Sequence, residues 1–155
     1  MLVPIIMGSK VDMDFAKKIG AKLESLGIQF VYRIASAHKA PQLVLKILEE
    51  YDTQDVVYIT IAGRSNALSG FVCANSVKPV IACPPLDKQS YMMDIHSSLR
   101  MPSNAPAMVI VDPKNAALAA AKIFALSNSE MRVKMSNAIK QTKQDIETWD
   151  NEVKV

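Results

Sequence analysis

Five short apolar runs, rich in β-branched residues, recur along the chain at 2–7, 28–34, 56–62, 78–83 and 107–111. Amphipathic stretches separate them. In the first, Phe15, Ile19, Leu23 and Leu26 keep a helical spacing, and Gly27 is a suitable stop. In the second, Leu43, Ile47 and Leu48 do the same, with Pro41 in the first turn, where its missing N–H costs nothing. Asn66 to Ala74 is a short third stretch of small residues, and Asn115 to Phe124 is alanine-rich and expected to lie flat on the sheet. Strand alternates with helix from end to end. That order predicts an α/β fold with a five-stranded parallel sheet covered on both faces.

The last segment breaks the alternation. Ser127-Asn128-Ser129-Glu130 has the form of a capping box. Beyond it Met131, Met135, Ile139, Thr142, Ile146 and Trp149 form one helical stripe with no strand after it. A helix over 128–152 has a length on the order of 30 Å or more at 1.5 Å per residue, beyond the span of a small sheet. The expectation is one domain over 1–155, with an α/β core over 1–127 and this C-terminal helix docking on a neighbouring subunit. The competing reading folds the helix back on its own domain.

Bulk properties narrow the function. A length of 155 residues, half of them hydrophobic, suits one domain with a real core rather than a disordered chain. The net charge is only +3 and no basic run occurs, which argues against a nucleic-acid partner. Cys73 and Cys83 are isolated in apolar context, without Cys-x-x-Cys or histidine at ligand spacing. They read as reduced cysteines of a cytoplasmic protein, and no metal site is expected. No apolar run reaches the roughly 18 residues of a membrane span, and Met1 to Met7 reads as a strand, not a signal peptide.

Chemistry concentrates in three polar turns, each where an apolar run gives out. They are Gly8-Ser9-Lys10-Val11-Asp12, Ser36-Ala37-His38-Lys39 and Ala62-Gly63-Arg64-Ser65-Asn66. Open parallel sheets bind ligands beyond the carboxyl ends of their strands, so these turns would meet around one small anionic molecule. Gly8-Ser9 leads into a helix whose free N–H groups suit a phosphate, although Ser9-x-x-Asp12 also reads as a plain capping box. His38 is one of two histidines. It is either a surface residue or an acid–base group that takes and returns a proton, and the small neighbours Ser36 and Ala37 leave room for the second role. Gly63 permits close approach of backbone to a ligand. Cys83-Pro84-Pro85 supplies a stiff wall, and Met101-Pro102, within Ser97 to Ser103, brings apolar atoms toward a ligand. His96 is expected to cap or pack.

These turns, with Cys83-Pro84-Pro85 and Ser98-Leu99-Arg100-Met101-Pro102-Ser103, resemble the phosphoribosylaminoimidazole carboxylase family of purine biosynthesis, in order and spacing from about residue 3 to residue 130. The resemblance implies a flavodoxin-like three-layer sandwich, a homo-octamer and no metal or organic cofactor. It implies carboxylation of 5-aminoimidazole ribonucleotide to the 4-carboxy compound. Lys39 and Arg64-Ser65-Asn66 look like the class II branch, which uses carbon dioxide directly. The mutase branch, which moves the carboxylate of N5-carboxyaminoimidazole ribonucleotide, typically reads Ser-Ala-His-Arg, with a glycine-rich, histidine-bearing second loop. Carried over, His38 is the general acid and base. Ser9, Asp12, Ser36 and Lys39 hold the phosphoribosyl group, Gly63 and Ser65 line the base and carboxylate side, and Arg64 and Asn66 shape that loop within the substrate-binding set. Two positions depart from the family pattern. Val11 stands where a serine is common, and the Met-Pro-Ser-Gly turn ends in Asn104, which tolerates a left-handed conformation. The alternative of another class is a flavodoxin-like nucleotide-binding or signalling module. A phosphoacceptor would need acidic residues where Met7-Gly8 and Ala62-Gly63 stand.

Overall fold

Residues 1–85 and 90–154 are described by a computed structural model. Strands β1 (Leu2–Met7), β2 (Gln29–Ile34), β3 (Tyr58–Ile61), β4 (Val80–Ala82) and β5 (Met108–Val109) form one sheet in the order β2-β1-β3-β4-β5. Every pairing is parallel. Helices α1 (Met13–Ser25), α2 (Pro41–Tyr51), α3 (Ala67–Ala74), α4 (Tyr91–Leu99), α5 (Pro113–Phe124) and α6 (Ser129–Val153) complete the order. The architecture is flavodoxin-like α/β, with a long C-terminal helix. Among the described residues no helix is long and apolar enough to cross a membrane.

The sheet reverses direction at β1. The chain steps from β1 to β2 on one side, then returns past β1 to β3. With right-handed crossovers this puts α1 on one face and α2 and α3 on the other. Central strands β1 and β3 are buried almost throughout, as near-continuous apolar runs require. Ile6, Tyr58 and Val80 from the sheet pack with Val44, Ile47 and Leu48 of α2 and Leu68 and Val72 of α3. The buried face of α2 is therefore set by Val44 with Ile47 and Leu48. Leu43, counted in the apolar stripe from sequence, faces solvent.

Helix α1 comes close to β2. A Cβ on Gly20 would lie 2.0 Å from Tyr32 Oη and 2.8 Å from the Phe30 ring, so only glycine fits there. The helix ends where Gly27 was expected to stop it. Gly27 adopts φ 72°, its N–H reaches Glu24 O at 2.9 Å, and the Ile28 N–H reaches Leu23 O at 3.0 Å. This is a Schellman termination. Pro41 opens α2 as its spacing predicts.

Two compact units emerge, Met1–Ala120 and Ala121–Val155. The division falls inside α5 rather than at the α5–α6 connection. In the second unit, the Asn128 N–H returns to Phe124 O, and the Arg132 guanidinium donates to Ala125 O and Leu126 O. These bonds tie the end of α5 to the start of α6. Asn128, not Ser127, caps α6 by accepting the Met131 N–H at 2.8 Å. Helix α6 is 25 residues long.

Candidate active site

The site lies where the strand order reverses. Strand pairing continues to the carboxyl ends, because the Gly8 N–H donates to Ile61 O and the Ala35 N–H to Met7 O, both at 2.9 Å. The turns after β2, β1 and β3 are thereby held side by side. They enclose a cavity of about 510 Å³ lined by Gly8, Ser9, Val11, Asp12, Ser36, Ala37, His38, Lys39, Ala62, Gly63, Arg64, Ser65 and Leu68. The volume is in the usual range for a small-molecule site. A larger cavity of about 790 Å³ opens beside Phe15, Lys22, Val111 and Pro113. It is lined by no histidine and by none of the three turns, so the smaller cavity is the candidate site.

In the first turn Ser9 has an extended backbone and its hydroxyl accepts the Val11 N–H at 3.4 Å. A short 3-10 turn over Lys10–Asp12 follows and runs into α1. Ser9 is thus a cap and a cavity-lining hydroxyl together. The half-buried Asp12 carboxyl is pushed above its ordinary value, chiefly by desolvation, while the Ser9 N–H draws it partly back. Val11 is 86% exposed, an apolar side chain in open water at the cavity edge.

The second turn is closed by its own serine. Ser36 Oγ accepts the Lys39 N–H at 3.3 Å, and Ser36 O accepts the Ala40 N–H at 2.8 Å. His38 and Lys39 are left exposed at its tip, on the cavity. Packing does not consume either side chain.

The third turn is more constrained than its sequence indicates. Arg64 adopts φ 55°, a left-handed conformation costing a non-glycine residue about 1–2 kcal/mol. Gly63 keeps an ordinary φ, and a Cβ there would only touch Pro85 at 3.6 Å. A Cβ on Gly8 would meet nothing nearer than 3.7 Å. The fold itself therefore does not require glycine at 8 or 63. The space those missing side chains leave belongs to the cavity.

His38 and the substrate-binding residues assigned from sequence all line this cavity except Asn66, whereas the Pro84-Pro85 wall does not, and Pro85 lines the larger cavity instead. Asn66 is 3% exposed, with both ends of its side-chain amide bonded within the protein. Its Oδ1 accepts the N–H and the hydroxyl of Ser69, at 3.1 and 2.8 Å, and its Nδ2 donates to Ser98 Oγ at 2.9 Å. It caps α3 and does not line the cavity. Met101 and Pro102 also stand elsewhere. They line a separate hollow with Ala105 and Val109, and Met101 Sδ approaches within 3.0 Å of where a Cβ on Gly70 would be. Asn104 adopts φ 64°, the left-handed conformation its place in the turn called for. Sequence reasoning singled out the segment from Ser97 to Ser103 but gave Ser97 itself no role. It lies in the last turn of α4 and bonds to the third turn from more than thirty residues away.

Residues 2–145 match the family described as AIR carboxylase. The chain belongs to the AIR carboxylase family. It is 51% identical over 99% of its length, and 86% of the relative's, to a phosphoribosylaminoimidazole carboxylase of Archaeoglobus fulgidus. It is 45% identical to the protein of that name from Treponema denticola, covering 99% of this chain and 98% of the relative. The crystal structure of Treponema denticola PurE superposes on it with a TM-score of 0.96 at 45% identity, covering 99% of each chain. As a member of the AIR carboxylase family the chain is an enzyme. The family match spans all three turns and the β-strands that carry them.

Proposed function

We propose that this carboxylase joins carbon dioxide directly to 5-aminoimidazole ribonucleotide, giving 4-carboxy-5-aminoimidazole ribonucleotide in purine biosynthesis. The observation that carries the reading is the cavity at the strand reversal, with hydroxyls, two cations, a carboxylate and an imidazole on its wall. Ser9, Ser36 and Lys39 bind the phosphate end, and Asp12 accepts hydrogen bonds from the ribose. Gly63 and Ser65 lie against the base and the growing carboxylate. The ring carbon, enamine-like, attacks carbon dioxide. The tetrahedral carbon then loses its proton to His38, and in reverse His38 returns it. The hollow beside Ala62, Gly63 and the buried Leu68 suits a small, neutral, weakly hydrated molecule. Excluding water there strengthens every fixed dipole acting on the new carboxylate.

The same proposal covers the assembly and its setting. The chain acts in the cytoplasm as a homo-octamer, without metal or organic cofactor. Residues 128–152 dock on a neighbouring copy. Exposure of Ile139, Ile146 and Trp149 along α6 supports that docking.

The branch is tested by the carboxyl donor. Lys39 and Arg64-Ser65-Asn66 favour a site open to dissolved carbon dioxide, and the relatives above carry the carboxylase name. Aminoimidazole ribonucleotide plus bicarbonate, without ATP, is expected to give product at a rate rising with dissolved carbon dioxide, and labelled carbon dioxide is expected in that product. The reading fails if N5-carboxyaminoimidazole ribonucleotide is converted faster than its spontaneous decarboxylation while label from solution stays out. That outcome makes the chain a mutase.

A further inference from the structure

The left-handed Arg64 needs something to hold it, and the bonds that do so come from α4. Ser97 Oγ donates to Arg64 O at 2.7 Å and accepts the Asn66 N–H at 2.9 Å. A helical serine ordinarily returns its hydroxyl hydrogen to a carbonyl of its own helix. Here that carbonyl, Asp94 O, lies 2.9 Å away and competes with Arg64 O for the one hydrogen. The bond leaving the helix is the shorter.

The next residue anchors the other end. Ser98, 1% exposed, accepts the side-chain amide of Asn66. Asn66 Oδ1 takes the hydroxyl hydrogen of Ser69, and Thr60 Oγ1, 2.8 Å from Ser69 Oγ, can donate there in competition with Ile81 O at 3.4 Å. A fully paired, buried chain thus runs from α4 through Asn66 to β3, and no buried side-chain polar atom among the described residues lacks a partner. Such a network fixes one geometry, because breaking any link strands a buried polar group.

We propose that Ser97 is a positioning residue for the site. Its hydroxyl clasps both ends of the Arg64-Ser65-Asn66 turn and holds Arg64 left-handed, so that Gly63, Arg64 and Ser65 line the cavity. The clasp acts on the base and carboxylate side only. Ser9, Asp12, Ser36 and Lys39 sit on turns that Ser97 does not touch. Losing it should therefore impair turnover more than nucleotide binding. This kinetic consequence rests on the carboxylase reading, whereas the clasp itself does not.

Two variants test it. Ser97→Ala is expected to lower kcat at least tenfold while KM for aminoimidazole ribonucleotide stays within about threefold. Ser97→Thr, which keeps the hydroxyl, is expected to restore most of kcat. Hydrogen exchange of the Asn66 amide is expected to speed up tenfold or more in Ser97→Ala and to stay slow in Ser97→Thr. Unchanged kcat in Ser97→Ala overturns the proposal. So does a loss that Thr does not rescue and that tracks a fall in Tm, which would make Ser97 merely structural. Unchanged Asn66 exchange removes the clasp itself. If the unaltered protein carboxylates nothing, the functional reading falls, and Asn66 exchange still decides whether Ser97 holds the turn.

Discussion

Asp12 shows how burial and function conflict in one side chain. Desolvation raises its folded-state pKa above the ordinary 3.8, outweighing the Ser9 N–H that lowers it. A carboxyl shifted upward adds stability below its unfolded pKa, and that contribution is lost as pH rises through the folded value. At neutral pH the fold therefore carries a charge that it disfavours. Asp12→Asn is expected to raise Tm at pH 7, with the gain shrinking as pH falls toward 3.8, and to weaken nucleotide binding. Melting curves across that range check it, and a gain independent of pH contradicts it. His38 has a different status, since nothing in the fold uses its ring. His38→Asn is expected to leave Tm and nucleotide affinity nearly unchanged and to slow turnover about 100-fold or more, the usual scale for an acid–base group. Wild-type turnover in that variant would refute the role given to His38. The positions of both residues were legible in the sequence, because a polar turn after an apolar strand has few other uses. The duty of Asn66 was not. An asparagine opening a helix reads alike as cap or ligand contact, and the partner that decides the matter, Ser98, is 32 residues away.

At the scale of elements, legibility followed burial. Strand β1 runs over Leu2–Met7 as its apolar run indicates, since a buried parallel strand is apolar on both faces. The runs at 56–62 and 78–83 shrink to Tyr58–Ile61 and Val80–Ala82, and the buried Val56 and Val57 ahead of β3 pair with the sheet only through an isolated bridge to Leu2. Helix α4 escaped notice for the opposite reason. Ser98 is its only buried residue, and Met92, Met93 and Leu99 are exposed, so no apolar stripe marks it as a helix. Its importance is polar rather than hydrophobic. Two serines in its last turn fix the third active-site turn, and only three-dimensional contacts reveal that. The short α3 is similar. Its start is set by Asn66, and Ser69 inside it carries the hydrogen-bond chain on to Thr60.

For the whole molecule, the open question is what covers α6. Long helices owe most of their stability to a buried apolar face. Along 25 residues α6 buries Met131 and Met135 and nothing beyond them, while Ile139, Ile146 and Trp149 are 47%, 55% and 60% exposed. Burying each aliphatic of that stripe against a neighbour is worth about 1.5–3 kcal/mol, and the indole offers more area still. The stripe was readable in the sequence from its spacing, but a single chain cannot name the surface that meets it. Replacing Ile146 and Trp149 together by lysine tests the docking without disturbing the buried start of the helix. Both side chains already face water in the isolated chain, so the fold and its circular dichroism should persist. Light scattering is expected to show a smaller particle than the unaltered protein forms, and truncation after Asn128 is expected to give the same loss or aggregation, because the matching apolar surface would be uncovered. A full-sized, soluble assembly from the lysine variant would mean that the stripe contributes nothing to association.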